Sequence, residues 1–150
     1  MIRLREFAAS DAAEIQRRIY PDMEIPLIEK MIGQWNQREY QGCFFLMLAI
    51  LVDEELAGTV SLLEQTGDTV SLGIEVIPSM RGRGVGAAAG SMVLEHAGRL
   101  GYHTAISQVR KDNEASIRLH QKLGFTRTEE AVNRRGIPVL WYRKRLIQNK

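Results

Sequence analysis

The stretch "GIEVIPSMRGRGVGAAAGSMVLEHAGRLGY" (73–102) decides the fold. It begins as an apolar run that stops at Pro78. The segment "RGRGVG" (81–86) then sets three glycines and two arginines on one bend. Beyond it, Val85, Ala88, Ala89, Met92, Val93, His96 and Leu100 recur at spacings of three and four, the period of one apolar helix face. The stretch therefore reads as a strand, a glycine bend and a helix over about 84–100, with Gly101 as the residue just past its end. A further strand-like run, "YHTAISQV" (102–109), follows. A strand–helix–strand unit of this kind closes as a right-handed crossover with its two strands parallel.

The bend has a physical use. Glycines adopt backbone angles that other residues resist and leave no side chain in the way. At a helix start the first N–H groups have no intrahelical partners, and the helix dipole adds partial positive charge. Such a place suits a phosphate, and Arg81 and Arg83 bring full charges to it. Two nucleotide motifs are set aside. "GAAAGS" lacks the lysine of a Walker loop. Gly82, Gly84 and Ala87 match a dinucleotide fingerprint formally, but the acidic residue required about 20 positions on comes late, and antiparallel strands come first.

Working outward, "IRLREF" (2–7) reads as a strand. "SDAAEIQRRIY" (10–20) reads as a helix with Ser10 or Asp11 as N-cap and Glu14 completing a capping box. A second helix is predicted over 25–40, with Leu27, Ile28, Met31 and Trp35 on one side. Three strands follow, 44–52, 55–65 and 68–78, spaced too tightly for anything but antiparallel pairing. After the crossover, "NEASIRLHQKLGF" (113–125) is a short helix capped by Asn113 and stopped by Gly124. "FTRTEEAV" and "IPVLWYRKRL" close the chain as two strands. The expected fold class is a mixed α/β sheet of about seven strands, antiparallel at the start with a parallel central pair, and about four helices.

The 150 residues predict a single domain spanning 1–150. Twenty Lys and Arg against 18 Asp and Glu leave a formal net charge of +2, too little to argue for nucleic acid. The most apolar run, "CFFLMLAILV" (43–52), is far shorter than the roughly 18–20 residues of a spanning helix, so it reads as a buried strand and no membrane partner is expected. Cys43 is the only cysteine, and with His96 and His103 it makes no metal-ligand spacing, so no metal is expected. Cytoplasmic location is the expectation.

"VIPSMRGRGVGAAAGSMVLEHAGRLGY" followed by "NEASIRLHQKLGF" resembles the GNAT superfamily of N-acetyltransferases. That family's acyl-CoA signature is Gln or Arg, two residues, Gly, one residue, then Gly or Ala; Arg81, Gly84 and Gly86 match it. Asn113, Gly124 and Phe125 match its second signature, and the strong likeness covers about 70–125. The resemblance implies acetyl-CoA as cosubstrate and no metal. It implies that the amides of Arg81, Gly82, Arg83, Gly84, Val85 and Gly86 hold the CoA pyrophosphate. Val76 and Ile77 would bond the pantetheine arm through their backbone, in a slot between splayed strands, and Asn113 would touch the cofactor near its helix start.

Acetylating an amine requires removal of a proton, because at neutral pH only about one alkylammonium in a thousand is free base. Glu75, in the otherwise apolar "LGIEVI", is the candidate base, with Glu64 on the neighbouring strand in reserve. Many family members carry Tyr where this chain has His120, and that hydroxyl is held to protonate the departing thiolate; subgroups that acetylate small amino compounds also carry His, so the resemblance makes His120 the second catalytic candidate, to protonate the thiolate or hydrogen-bond the cofactor sulfur. The expected function is N-acetyltransfer to a primary amine of a small molecule or amino acid derivative, by direct attack in a ternary complex. The alternatives are a weakly active CoA-binding sensor or interaction module and a protein or peptide N-terminal acetyltransferase. The expected partners are a small-molecule amine acceptor and, in assembly, a homodimer. No motif identifies the acceptor.

Overall fold

The computed structural model describes residues 1–148. Eight strands form one mixed sheet: β1 (Ile2–Glu6), β2 (Glu39–Tyr40), β3 (Cys43–Val52), β4 (Glu55–Thr66), β5 (Thr69–Val76), β6 (Thr104–Arg110), β7 (Thr126–Val132) and β8 (Pro138–Arg145). Four helices accompany them: α1 (Ala12–Arg18), α2 (Ile25–Trp35), α3 (Val85–Arg99) and α4 (Glu114–Lys122). Two short 3-10 turns, Ala9–Asp11 and Pro78–Met80, link elements. The strand order is β1-β3-β4-β5-β6-β8-β7, with two-residue β2 added to β3.

β1, β3, β4 and β5 pair antiparallel, as the short connections require. The β3–β4 hairpin turns on Asp53 and Glu54, both at positive φ, with Arg3 Nε 3.0 Å from Glu54 Oε2. β5 and β6 are the parallel pair, joined across α3 as a crossover. Their ladder is short: Thr69–Ser71 against Thr104–Ile106. Beyond it β5 runs on to Val76 and β6 to Arg110, so the two part into a fork in the middle of the sheet.

Both faces of the central strands are covered. On β3, Ile50 and its neighbours Ala49 and Leu51 are all fully buried although they alternate in direction. α3 lies on one face against β4 and β5, and the α1–α2 pair, through Ile15, Ile28 and Ile32, covers the other. α4 packs on β6 beside α3.

Several boundaries differ from the sequence reading. Asp11 stands at the N-cap position of α1, as expected, but a 3-10 turn that opens at Ala8 precedes the helix. Asp11 accepts the Ala8 N–H at 2.7 Å and holds Arg5 through two bonds of 2.8 and 3.0 Å, while Glu14 pairs with Arg17 and Arg18 instead of capping. The Arg5 guanidinium holds the Asp11 carboxyl below its ordinary pKa. The second helix stops at Trp35, not at 40: Arg38 takes positive φ and turns the chain into β2, and Gln41, also at positive φ, turns it on towards β3. β5 ends at Val76, and Pro78 opens a 3-10 turn. Among the described residues, no helix is long and apolar enough to cross a membrane.

Candidate active site

The glycine bend sits at the open end of the fork. Gly82 and Gly84 have φ of +79° and +76°, and Gly84 is the N-cap of α3. A Cβ on either would meet nothing within 4 Å, so the bend presents bare backbone to open space. No side chain caps the α3 N-terminus. Its first N–H groups are therefore directed, with the positive end of the helix dipole, at whatever occupies that space.

A cleft of about 680 Å³ lies there. β5 contributes Ile74, Glu75 and Val76; the bend contributes Arg81, Gly82, Gly84, Val85 and Gly86; α4 contributes Asn113, Arg118, Leu119 and Lys122. One wall is thus a strand in which Ile74 and Val76 flank Glu75, one is bare backbone, and one is a helix carrying two cations a turn apart. Arg81 is anchored by a 3.0 Å bond from its Nε to the Val76 carbonyl, which fixes its guanidinium across the end of β5.

The expected residues fall into three groups. Glu75, Val76, Arg81, Gly82, Gly84, Val85, Gly86 and Asn113 line the one cleft. Asn113 does cap α4, its Oδ1 accepting the Ser116 N–H at 3.1 Å, and it lines the cleft as well. Arg83 is exposed and stands outside the lining. Ile77 stands outside the lining too: it is buried, its N–H is given to the Ala57 carbonyl at 2.7 Å, and its carbonyl accepts from Met80 at 2.8 Å. Its N–H is therefore already taken by β4. Gly86 is reassigned in part, since it is buried and its missing Cβ admits Leu119 at 3.3 Å and Val76 at 3.5 Å.

Glu75 and its reserve part company. Glu75 is exposed on β5 in register with Thr59 of β4, and its charge reaches Tyr20, in the α1–α2 connection. Burial first, then the Glu75 charge, raises the Tyr20 phenol above its usual pKa. Glu64 sits at the far end of β4 and accepts a 2.8 Å bond from the Tyr102 hydroxyl. Burial and then that bond push Tyr102 up to about 12. Glu64 thus serves the core edge, away from the bend.

His120 lies apart from the cleft lining: it is only 5% exposed, beneath α4. Its Nε2 is 2.7 Å from Ser107 Oγ on β6 and its Nδ1 is 2.8 Å from the Ser116 carbonyl. Its ring packs edge-on to Phe125 at 5.2 Å and beside Tyr142 at 5.5 Å. Burial lowers its pKa, against an upward pull from the Ser116 carbonyl. Both ring nitrogens are engaged and the ring is covered.

Sequence reasoning missed Tyr20, Arg118, Lys122 and Ser107. Arg118 and Lys122 carried a usable signal, being four apart on the helix that Asn113 opens. Tyr20 and Ser107 carried none, because their neighbours come from distant parts of the chain. Among the described residues, no group of three or more His, Cys, Asp or Glu is placed to hold a metal.

The fork, the glycine bend and the capped α4 define one family. Residues 9–125 match the acetyltransferase (GNAT) family, and the chain belongs to it. The L-methionine sulfoximine/L-methionine sulfone acetyltransferase of Salmonella typhimurium is 32% identical over 114 residues, covering 64% of this chain and 66% of that protein. The L-amino acid N-acyltransferase MnaT of Escherichia coli is 32% identical over 90 residues, covering 54% and 52%. The chain thus spans under two thirds of the length of these relatives. The fold also recurs in the RimL ribosomal L7/L12 alpha-N-protein acetyltransferase solved with coenzyme A: TM-score 0.86, 16% identity, 99% of this chain and 96% of that one. A putative acetyltransferase from Salmonella typhimurium, YncA, solved with acetyl-CoA, gives a TM-score of 0.75 at 20% identity, over 100% and 96%.

Proposed function

We propose that the protein transfers an acetyl group from acetyl-CoA to the primary amine of a small, amino-acid-like acceptor. The observation that carries this reading is the cleft itself: bare, positively polarised backbone at one end and a carboxylate, Glu75, on the strand that forms its wall. Both curated relatives act, by their names, on amino acids or their analogues, which supports an acceptor of that class.

In this reading the pyrophosphate lies on the N–H groups of the α3 N-terminus, with Arg81, Arg118 and Lys122 supplying full charge. The open space at Gly82 and Gly84 fits it, since any Cβ there would stand in the anion's place. The arm runs into the fork between β5 and β6, where the backbone ladder is missing. The acceptor amine comes to Glu75, which takes its proton directly or through a water. The free amine attacks the acetyl carbonyl carbon, a C–N bond forms, the C–S bond breaks, CoA leaves as its thiolate, and the second proton that the nitrogen sheds goes to that thiolate or to solvent. The proton on Glu75 then passes to solvent.

The test is Glu75→Gln, which keeps shape and removes the base. With acetyl-CoA and a panel of amino acids and their sulfone and sulfoximine analogues, thiol release should fall by about 10²- to 10⁴-fold in kcat. CoA affinity should stay close to wild type. Full turnover in a folded Glu75→Gln protein would remove Glu75 as the base. Absence of thiol release from the wild type with every amine would overturn the reaction.

A further inference from the structure

Resting on the reading of Glu75 as the base that meets the acceptor amine, we propose that the acceptor carries a second group of hydrogen-bond-accepting oxygens, several bonds from its amine. The cavity at the β7–β8 hairpin receives that group. Arg134 and Arg135 donate to its oxygens, and Trp141 and Gln108 carry the chain between.

The two faces of the sheet bring these residues together. Ile74 and Val76 of β5 point at α3, where they face Gly90 and Gly86. Glu75, between them, therefore points to the opposite face. Ser107 of β6 and Tyr142 of β8 meet His120, beneath α4, and α4 lies on the α3 side through Leu119 against Gly86. Gln108 and Trp141, the next residues and partners in register, therefore share the face of Glu75. The level along the strands matches too. Ser71 and Ile106 close the β5–β6 ladder, so two residues on, in the fork, Gln108 stands level with Gly73 and one side-chain repeat short of Glu75.

A cavity of about 440 Å³ opens there. Gln108, Val139 and Trp141 line it from the strands, and Asn133, Arg134 and Arg135 from the hairpin loop. The charged residues of its lining are both arginines, which suits an oxygen-rich group. Among the described residues neither arginine pairs with a carboxylate, whereas Arg110 nearby is tied to Asp112 at 3.1 Å and Arg127 to Glu130 at 3.9 Å. The loop that carries them is closed on itself. Asn133 Oδ1 accepts the N–H groups of Arg135 at 2.9 Å and Ile137 at 3.1 Å, and the Asn133 carbonyl accepts that of Gly136 at 2.9 Å. The backbone behind the guanidinium groups is thus set before a ligand arrives. Trp141 is half-buried and pairs with no other ring among the described residues, so its indole is available to cover an aliphatic chain.

Distance then selects the acceptor. β6 lies between β5 and β8, and neighbouring strands are about 4.8 Å apart, so Glu75 and Trp141 spring from strands at least about 10 Å apart. The α-carboxylate of an amino acid, one carbon from the amine, does not bridge that gap. A carboxylate or sulfonyl group at the end of an extended side chain does, with the long arginine side chains reaching back to meet it.

Two measurements test the cavity. In steady-state kinetics with acetyl-CoA, wild-type kcat/KM should be about tenfold or more higher for L-glutamate than for L-norvaline, or for L-methionine sulfone than for L-methionine. Each pair differs in its distal oxygens; a preference in the first identifies an anionic group, and in the second a neutral one. With Arg134→Gln and Arg135→Gln combined, the preference should fall to about twofold or less, chiefly through KM, while CoA affinity by calorimetry stays close to wild type. No preference in the wild type, or a preference kept by the double variant, would overturn the proposal and leave the reaction standing. The second measurement needs no turnover. In ¹⁵N-labelled protein, with and without CoA, L-glutamate or L-methionine sulfone should shift the Trp141 indole N–H and leave Trp35, packed on Phe7 at 5.3 Å, unmoved. A Trp141 signal indifferent to both would overturn the proposal. A shift at Trp141 without thiol release from any amine would instead uphold the cavity and overturn the reaction.

Discussion

Gly82 and Gly84 do different work from Gly86 and Gly90, although all four belong to one run of sequence. The first two are exposed, hold positive φ and have nothing within 4 Å of a would-be Cβ. The last two are buried on α3, and a Cβ would meet Leu119 and Val76 at Gly86, and Leu123 at 2.8 Å and Ile74 at 3.0 Å at Gly90. The first pair is glycine because of the backbone and what approaches it from outside. The second is glycine because α3 sits close on β5 and α4. One residue type, repeated, thus encodes a binding surface and the packing that aims it.

The two pairs should fail in opposite ways. Gly84→Asp places a carboxylate where the anion approaches, so CoA affinity should fall about 100-fold or more, equivalent to about 2.7 kcal/mol. Folding should suffer less, by about 1 kcal/mol for a left-handed non-glycine residue. Calorimetry and thermal melts on the same preparation read both. A Gly84→Asp protein that binds CoA normally would break the comparison at the bend. Gly90→Val should do the reverse. Overpacking against Leu123 and Ile74 should cost about 1–3 kcal/mol, seen as a melting temperature lower by several degrees. CoA affinity of the folded fraction should stay within about threefold. Intact stability with lost affinity in Gly90→Val would place that glycine in the site instead of the packing.

What could be read from the sequence was local. The bend and α3 announced themselves through glycine spacing and a three-and-four apolar period, and Asn113 and Gly124 bracketed α4 as cap and stop, with Gly124 at φ +88°. Those are signals carried by residues a few positions apart. Gly86 could not be told from Gly84 because its meaning lies in Leu119, on another helix. Ile77 looked free because its partner, Ala57, is on a neighbouring strand. His120 looked reactive because a sequence does not show that Ser107 and Ser116 take both its nitrogens. Glu64 and Glu75 looked alike as strand glutamates, until Tyr102 claimed one and the fork exposed the other. The helix predicted to 40 failed for a local reason, a turn at Arg38 with positive φ that no glycine there advertised.

The central claim is that the glycine bend and the fork together hold CoA. The most direct measurement is an amide NMR titration of the ¹⁵N-labelled chain with CoA. The account predicts the largest shifts at residues 81–86, at Asn113, and along β5 from Leu72 to Val76. A neighbouring cavity of about 590 Å³ shares Gly84 and Lys122 with the cleft and runs along α3 to a far end, away from the fork, at Ser91, Glu95, Leu146 and Ile147 beside Lys144. Shifts concentrated there, with the bend and the fork unmoved, would contradict the account.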